Sequence, residues 1–254
     1  MKKKNPAPPP SGPDSSAGQA TASLAERAYL EIRNRILKGE LTVGVALTRR
    51  KLAEALKISV PPVSEALQRL EREGLVESKP RAGTRVRIPT PQDVEDRSMV
   101  REALETQAAR LFAERATPEE KEQLRHLGRW VDEAYAASEN RSDDREFLFA
   151  VHTDHMKLHL HIAECARCPA LREAIEREQV LIFNWLHDTV VQRRALGSDF
   201  HARLTDALAC GAPDEAGEAM RAHIRHGLGE VLAGLERMTH GGNGWRHKRS
   251  PQAP

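Results

Sequence analysis

The stretch that most limits what this chain can become is residues 49–88. Two short segments with apolar residues at helical spacing, 49–56 (RRKLAEAL) and 61–73, the second opening on two prolines, are joined by the tight connection Lys57-Ile58-Ser59 with Val60. So short a connection forces the two helices to cross steeply, and Ser59 with prolines 61 and 62 suits the cap and first turn of the second. Val63, Ala66, Leu67 and Leu70 lie on one face of that helix, and Gly74 stops it. Leu75–Ser78 and Thr84–Ile88 then read as two strands around a basic turn, Lys79-Pro80-Arg81-Ala82-Gly83. Upstream, Leu24, Ala28, Ile32 and Ile36 recur every four residues before Gly39, giving a first helix. Three helices and a hairpin make a winged helix-turn-helix. In that arrangement the third helix fits a major groove, and the hairpin tip reaches phosphate or the neighbouring minor groove.

Charge supports that reading. Residues 1–88 hold 17 Lys/Arg against 9 Asp/Glu, whereas residues 89–254 hold 22 against 28. A basic front half suggests a polyanionic partner, and the acidic remainder argues against one continuous binding surface. All 11 histidines lie after residue 125, so the two halves carry different chemistry. Pro89-Thr90-Pro91 is the expected joint. The expected division is a disordered Pro/Ser/Ala-rich tail over 1–20, a DNA-binding domain over 21–89, a helical domain over 90–238 and a loose tail over 239–254. Helices are expected at about 92–115, 118–138, 144–166, 169–193, 198–210 and 213–237, so the fold class is mainly α, a winged helix-turn-helix followed by an all-helical bundle. No apolar run approaches the roughly 18 residues of a membrane span, the basic start MKKK has no apolar stretch behind it, and three cysteines make no disulfide framework. A soluble cytoplasmic protein is expected.

In the second half, His155 and His159 are four apart and share a helix face, the spacing that two ligands of one metal need. His201 and His223 fall on two later helices, and facing helices of a bundle can build such sites between them. Spacing alone leaves unrelated polar histidines open. His152 lies on the same face as His155 and is a candidate to support the ligands from behind, His161 points elsewhere, and Asp154 points about 100° away from His155 on an ideal helix. Imidazole ligands suit Zn, Ni, Cu or Fe(II). Cys165-x-x-Cys168 is read as packing rather than redox chemistry, and Trp130, Phe147, Phe183 and Trp185 as core or cavity wall.

The stretch ILKGELTVGVALTRRKLAEALKISVPPVSEALQRLEREGLVESKPRAGTRVRI resembles the N-terminal domain of GntR-family transcription regulators, whose pattern ends in L-A-x-x-L-x-V-S-R-x-P-V-R-E-A-L-x-x-L-x-x-E-G-L-V and a Gly-bearing wing. Two family arginines are replaced by Val60 and Ser64, while Arg50 is retained. The resemblance implies DNA contacts from Arg49, Arg50, Lys51, Ser59, Val60, Ser64, Arg69, Arg81 and Gly83. Residues 97–237 resemble the FCD ligand-binding domain of the FadR-type branch: Arg101–Glu105 matches R-x-x-L-E, His155-Met-Lys-Leu-His159 matches D-x-x-F-H with His for Asp, and Phe200-His201 and Met220–Ile224 match the two remaining histidine segments. The resemblance implies a divalent metal, Zn or Ni, on His155, His159, His201 and His223, and an effector cavity lined by Arg101. With four neutral ligands the metal is expected to keep its full charge, and a buried Arg101 beside it to need a bridging anion such as a small organic acid. The alternative for Arg101 is a surface ion pair with Glu105.

The function expected is a metabolite-responsive regulator, binding double-stranded operator DNA as a homodimer on a near-palindromic site, with repression the family's default. Two rivals stand beside it: a sensor whose DNA reading has weakened, kept alive by Val60 and Ser64, and a metal-dependent enzyme with a DNA-binding appendage, disfavoured because no H-E-x-x-H or comparable motif supplies a general base.

Overall fold

The computed structural model describes residues 23–138, 141, 144–178 and 197–240. The first helix, α1 (Leu24–Leu37), opens on Ser23, whose hydroxyl accepts from the Glu26 N–H, and stops where Gly39 takes φ 68°. Strand β1 (Ala46–Leu47) leads into α2 (Arg49–Leu56) and α3 (Val60–Arg72), then β2 (Val76–Lys79) and β3 (Gly83–Val86). Between α2 and α3 the chain turns at Lys57, in the left-handed region at φ 54°. Ser59 holds the N-cap position of α3 but makes no side-chain cap bond. The expected hairpin is in fact a three-stranded sheet in the order β1-β3-β2, with Ala46 opposite Arg85 and Val76 opposite Val86. A two-residue strand has no period to read, so β1 was invisible in the sequence. Ile32, Ile36, Val63, Leu67, Leu70, Leu75 and Val86 close this core, each at most 1% exposed. At roughly 1.5–3 kcal/mol per fully buried aliphatic side chain, that cluster is what holds the three helices to the wing.

The helical part comprises α4 (Pro91–Arg115), α5 (Pro118–Ser138), α6 (Arg145–Cys165), a helical segment over 169–178 (α7), α8 (Phe200–Cys210) and α9 (Pro213–His240). The expected helix over 169–193 lies outside the described residues beyond 178. Phe112, Leu124, Val131, Leu158, Ile162, Leu208 and Met220 form a second core.

The proline joint is not a loose hinge. Thr90 caps α4 in a reciprocal capping box with Asp93, and Arg87 pairs with Asp93 across the joint at 2.6 Å. At 1.5 Å per residue the 25 residues of α4 span about 37 Å. Val94 at its start is buried in the first core and Phe112 near its end in the second. Helix α9 does the reverse, giving Met220 and Ile224 to the second core and Val231 and Leu235 to the first. The two helices therefore run antiparallel and belong to both cores, with Arg225–Glu102 at 2.9 Å and Arg110–Asp214 at 2.5 Å as rungs between them. Helix α5 lies so close to α8 that a Cβ on Gly128 would come within 2.5 Å of Thr205 Oγ1.

Candidate functional site

Three helices bring the four histidines together. His155 and His159 rise one turn apart from α6, and α9 presents His223 to them. His159 Nε2 lies 2.9 Å from His155 Nε2 and 3.2 Å from His223 Nε2, and the remaining separation is 3.4 Å. These three form a group of ligand atoms within 4.8 Å of one another. His201, from α8, stands beside that trio, its ring centroid 4.7 Å from that of His155 and 5.3 Å from that of His223.

The outer ring nitrogens explain the inward orientation. His159 Nδ1 lies 2.6 Å from Glu105 Oε2 of α4, and His201 Nδ1 lies 2.7 Å from Asp132 Oδ1 of α5. A carboxylate only accepts, so each Nδ1 carries the proton and each Nε2 turns a lone pair toward the centre. Tyr135 Oη meets His155 Nδ1 at 3.0 Å, and its ring stacks on His201 at 5.3 Å. Lone pairs converging at such distances in a buried place repel one another unless a cation lies between them. Metal–imidazole bonds of about 2.0–2.1 Å set neighbouring ligand nitrogens roughly 2.9–3.4 Å apart, the spacing observed here. The residues present therefore fit a divalent metal.

Electrostatics agree. Burial, followed by the neighbouring imidazoles, pushes His155 and His223 well below the ordinary histidine value, so both are neutral and ligand-ready. Burial alone would raise the Glu105 carboxyl, but Arg101 and His159 outweigh it and hold it well below the usual carboxylate range. Burial likewise opposes ionisation of Asp132, and hydrogen bonds from the His201 ring and from the His201 and Ala202 N–H groups overcome it.

Two expectations change. The Arg101–Glu105 pair offered as the surface alternative does form, but in the interior beside the histidines: Arg101 Nε donates to Glu105 Oε1 at 2.6 Å, and a terminal nitrogen lies 3.4 Å from His159 Nε2. An exogenous anion is thus not required to justify its burial, because Glu105 already balances it. Nor would a metal here keep its full charge uncompensated, since Glu105 and Asp132 stand directly behind two of the rings. Neither carboxylate was singled out from the sequence as part of the site. Glu105 was marked only as the i+4 partner of Arg101, and Asp132 left no local signal. His152 is buried edge-on to Tyr135 at 6.1 Å. His161 faces Phe112 and the Glu120 carbonyl instead, and Asp154 turns to Lys157 and Trp130. Trp130, expected in a core, is 57% exposed, held by its indole N–H bond to Asp154. Phe147 is partly buried against the second core, and Phe183 and Trp185 lie outside the described residues. Cys165 is buried and pushed up to about 11 by burial, then by Glu120, which makes it an unreactive thiol; it is not disulfide-bonded to Cys168.

At the other end, Arg49, Arg50 and Lys51 are exposed on the first turn of α2, Val60 is 41% exposed at the start of α3, and Ser59 is exposed beside it. Arg50 pairs with Glu54 in solvent. Ser64 donates to the Val60 carbonyl of its own helix. Arg81 and Gly83 form the exposed wing tip, both at positive φ, 63° and 80°. Arg69 already has partners within the fold: it bonds Glu26 and Glu73 and lies 3.6 Å above the Tyr29 ring, so it clamps α3 to α1.

Known proteins match both halves. Residues 24–86 match the family described as bacterial regulatory proteins, gntR family, and residues 96–226 match the FCD domain. An HTH-type transcriptional regulator in an unstable DNA locus of Streptomyces ambofaciens is 30% identical over 200 residues, covering 78% of this chain and 80% of its own. The Nta operon transcriptional regulator of Aminobacter aminovorans is 28% identical over 193 residues, covering 74% and 85%. Among solved structures, McbR/YncC of E. coli superposes with a TM-score of 0.65 at 23% identity, over 85% of this chain and 99% of its own, a likeness of fold. FCD domains are often metal-binding, and the histidine cluster lies within the FCD match. Among the described residues no helix is long and apolar enough to cross a membrane. The winged helix-turn-helix, the helical domain and the relatives agree that this chain belongs to the gntR family of bacterial regulatory proteins, as a transcriptional regulator with an FCD domain and not an enzyme.

Proposed function

We propose that this regulator binds operator DNA as a homodimer and adjusts its grip in response to a small organic acid held beside a divalent metal, Zn or Ni, on His155, His159, His201 and His223. The observation that carries the reading is the convergence of imidazole Nε2 atoms with the Arg101 guanidinium 3.4 Å away. When bound, the metal supplies a Lewis-acidic positive charge that draws an anionic oxygen. A dication and Arg101 set against Glu105 and Asp132 leave one net positive charge in a place of low dielectric, which favours an anion over a neutral ligand. Arg101 then orients the acid, and Glu105 keeps Arg101 in place.

DNA contact falls to Arg49, Arg50 and Lys51 on α2, Ser59, Val60 and Ser64 at the start of α3, and Arg81 with Gly83 at the wing tip. Arg69 is left out for the reason above. Val60 and Ser64 supply no positive charge where the family carries arginine, so they change the base code. Coupling between the ends follows from shared helices. Phe149 and Met156 of α6 and Leu228 and Leu232 of α9 rest against the winged-helix core, on the same two helices that carry His155, His159 and His223. A shift of either helix at the metal end is felt by the DNA-reading end. The domain division at residues 89–90 is accordingly one of function, with packing continuous across it.

A thermal-shift screen of zinc-loaded protein against organic acids tests the reading, because a ligand of the native state raises Tm by mass action. At least one acid is expected to raise Tm in the zinc-loaded protein and not after chelation. Equal shifts with and without zinc would remove the metal from effector binding.

A further inference from the structure

We propose that the four histidines are unequal ligands: His159 and His201, each backed by a buried carboxylate, anchor the metal, while His155 and His223 are its yielding arms. The inference rests on the metal reading above and concerns the layer behind the rings.

His159 Nδ1 stands in direct contact with a carboxylate, 2.6 Å from Glu105 Oε2, and His201 donates Nδ1–H to Asp132 at 2.7 Å; these carboxylates are 2% and 6% exposed. A hydrogen bond to an ionised acceptor is roughly twice as strong as a neutral one. It fixes the tautomer and ring orientation and makes the inward nitrogen a better donor to metal. Each carboxylate is itself held. Arg101 grips the other oxygen of Glu105 at 2.6 Å. Asp132 also accepts the backbone N–H groups of His201 and Ala202 at 2.9 Å, so a residue of α5 caps the first turn of α8. The residue at the cap position itself, Asp199, makes no cap bond. Asp132 thus fixes the backbone and the ring of His201 at once.

The other two lack this support. His155 meets only a phenol, Tyr135, at 3.0 Å. His223 is 6% exposed, and among the described residues no acceptor reaches its Nδ1. Nothing there holds the proton on Nδ1, so His223 must select its ligating tautomer when metal arrives. Glu105, Asp132 and Tyr135 are positioning residues, graded by acceptor strength.

The test is zinc affinity of the full chain, measured by competition with a chelating dye. Loss of an outer-layer partner typically weakens metal binding about 10–100-fold. Glu105→Gln and Asp132→Asn are expected to fall in that range and Tyr135→Phe below about 3-fold, smaller than the carboxylate range. His159→Ala and His201→Ala should each lose at least tenfold more affinity than His155→Ala and His223→Ala. A double-mutant cycle separates positioning from general damage: Glu105→Gln should add no loss in a His159→Ala background if it acts only through that ring. Should Asp132→Asn fail to fold for want of its cap on α8, the Glu105/His159 cycle decides alone. Equal losses across the four histidines, or a full Glu105→Gln loss persisting without His159, would overturn the inference while leaving the metal site standing. A wild-type chain that bound no zinc would overturn the site itself.

Discussion

The close approach of α5 to α8 yields a test in which two familiar effects oppose each other. Gly128→Ala raises helix propensity by about 0.8–1 kcal/mol. It also places a methyl 2.5 Å from Thr205 Oγ1, 2.8 Å from Thr205 Cγ2 and 3.0 Å from the His201 carbonyl oxygen. Carbon contacts are most favourable near 3.5–4.0 Å, so about 1 Å of overlap must be relieved. Rotating Thr205 exchanges one offending atom for the other, and its hydroxyl is bonded to the Ala202 carbonyl. The His201 contact is backbone, so α8 itself has to move. Overpacking of this kind costs about 1–3 kcal/mol, and because a backbone atom must yield, the upper part of that range applies, which leaves a net loss of up to about 2 kcal/mol after the propensity gain. Gly227 and Gly229 of α9 provide the control, because a Cβ on either meets nothing within 4 Å. The same substitution there should stabilise by about 0.5–1 kcal/mol. Urea unfolding midpoints at unchanged m-value measure all three. Gly128→Ala should unfold earlier, bind metal more weakly because His201 shifts, and recover part of its stability in combination with Thr205→Ala. Stability equal to or above wild type would show that the helices separate without cost and that the α5–α8 contact does not position His201.

His159→Ala should release bound metal while His161→Ala retains it; elemental analysis of the purified variants decides, and equal contents would remove His159 from the site. For the metal-free protein, burial holds His155 and His223 well below the unfolded value of about 6.5. The unfolded chain therefore takes up protons first as pH falls, and stability that is complete above about pH 6.5 declines below it, by up to about 1.4 kcal/mol per pH unit for each ring; urea midpoints at pH 7.5 and 5.5 check this, and a flat profile would contradict neutral burial. Arg50→Ala and Arg81→Ala should lower operator affinity and flatten its salt dependence, whereas Arg69→Ala should lower Tm through loss of its Glu26, Glu73 and Tyr29 contacts with little change in the salt slope; gel-shift titrations at several salt concentrations distinguish the two behaviours.

Much of this architecture was legible because local rules agreed with one another. The i, i+4 apolar spacing from Ala28 to Ile36, the three-residue connection before α3 and the prolines at 118 and 213 each placed a helix edge within a residue or two. The histidine cluster was legible for a similar reason: four turns of helix carry histidines at positions that match a family pattern. What was hidden is what depends on distance through space. Asp132 is 69 residues from His201, and no periodicity marks it. Arg69 reads as one more basic residue on α3 until its partners on α1 are seen. Trp130 reads as core or cavity wall because it is aromatic, yet its indole N–H finds Asp154 at the surface. The sharing of α4 and α9 between two cores likewise depends on tertiary packing, since a proline joint in sequence suggests a boundary whichever way the following helix runs.

The central claim is that an anion held at the histidine cluster changes the grip on DNA through α6 and α9, and reciprocal linkage tests it directly. The measurement is operator affinity of the zinc-loaded chain with and without the acid found by thermal shift, together with affinity for that acid with and without operator, in wild type and Arg101→Ala. The account requires the two factors in wild type to be equal, on the order of 5–150-fold, and the acid to bind Arg101→Ala more weakly. Operator affinity unmoved by saturating acid in the wild-type protein would contradict it.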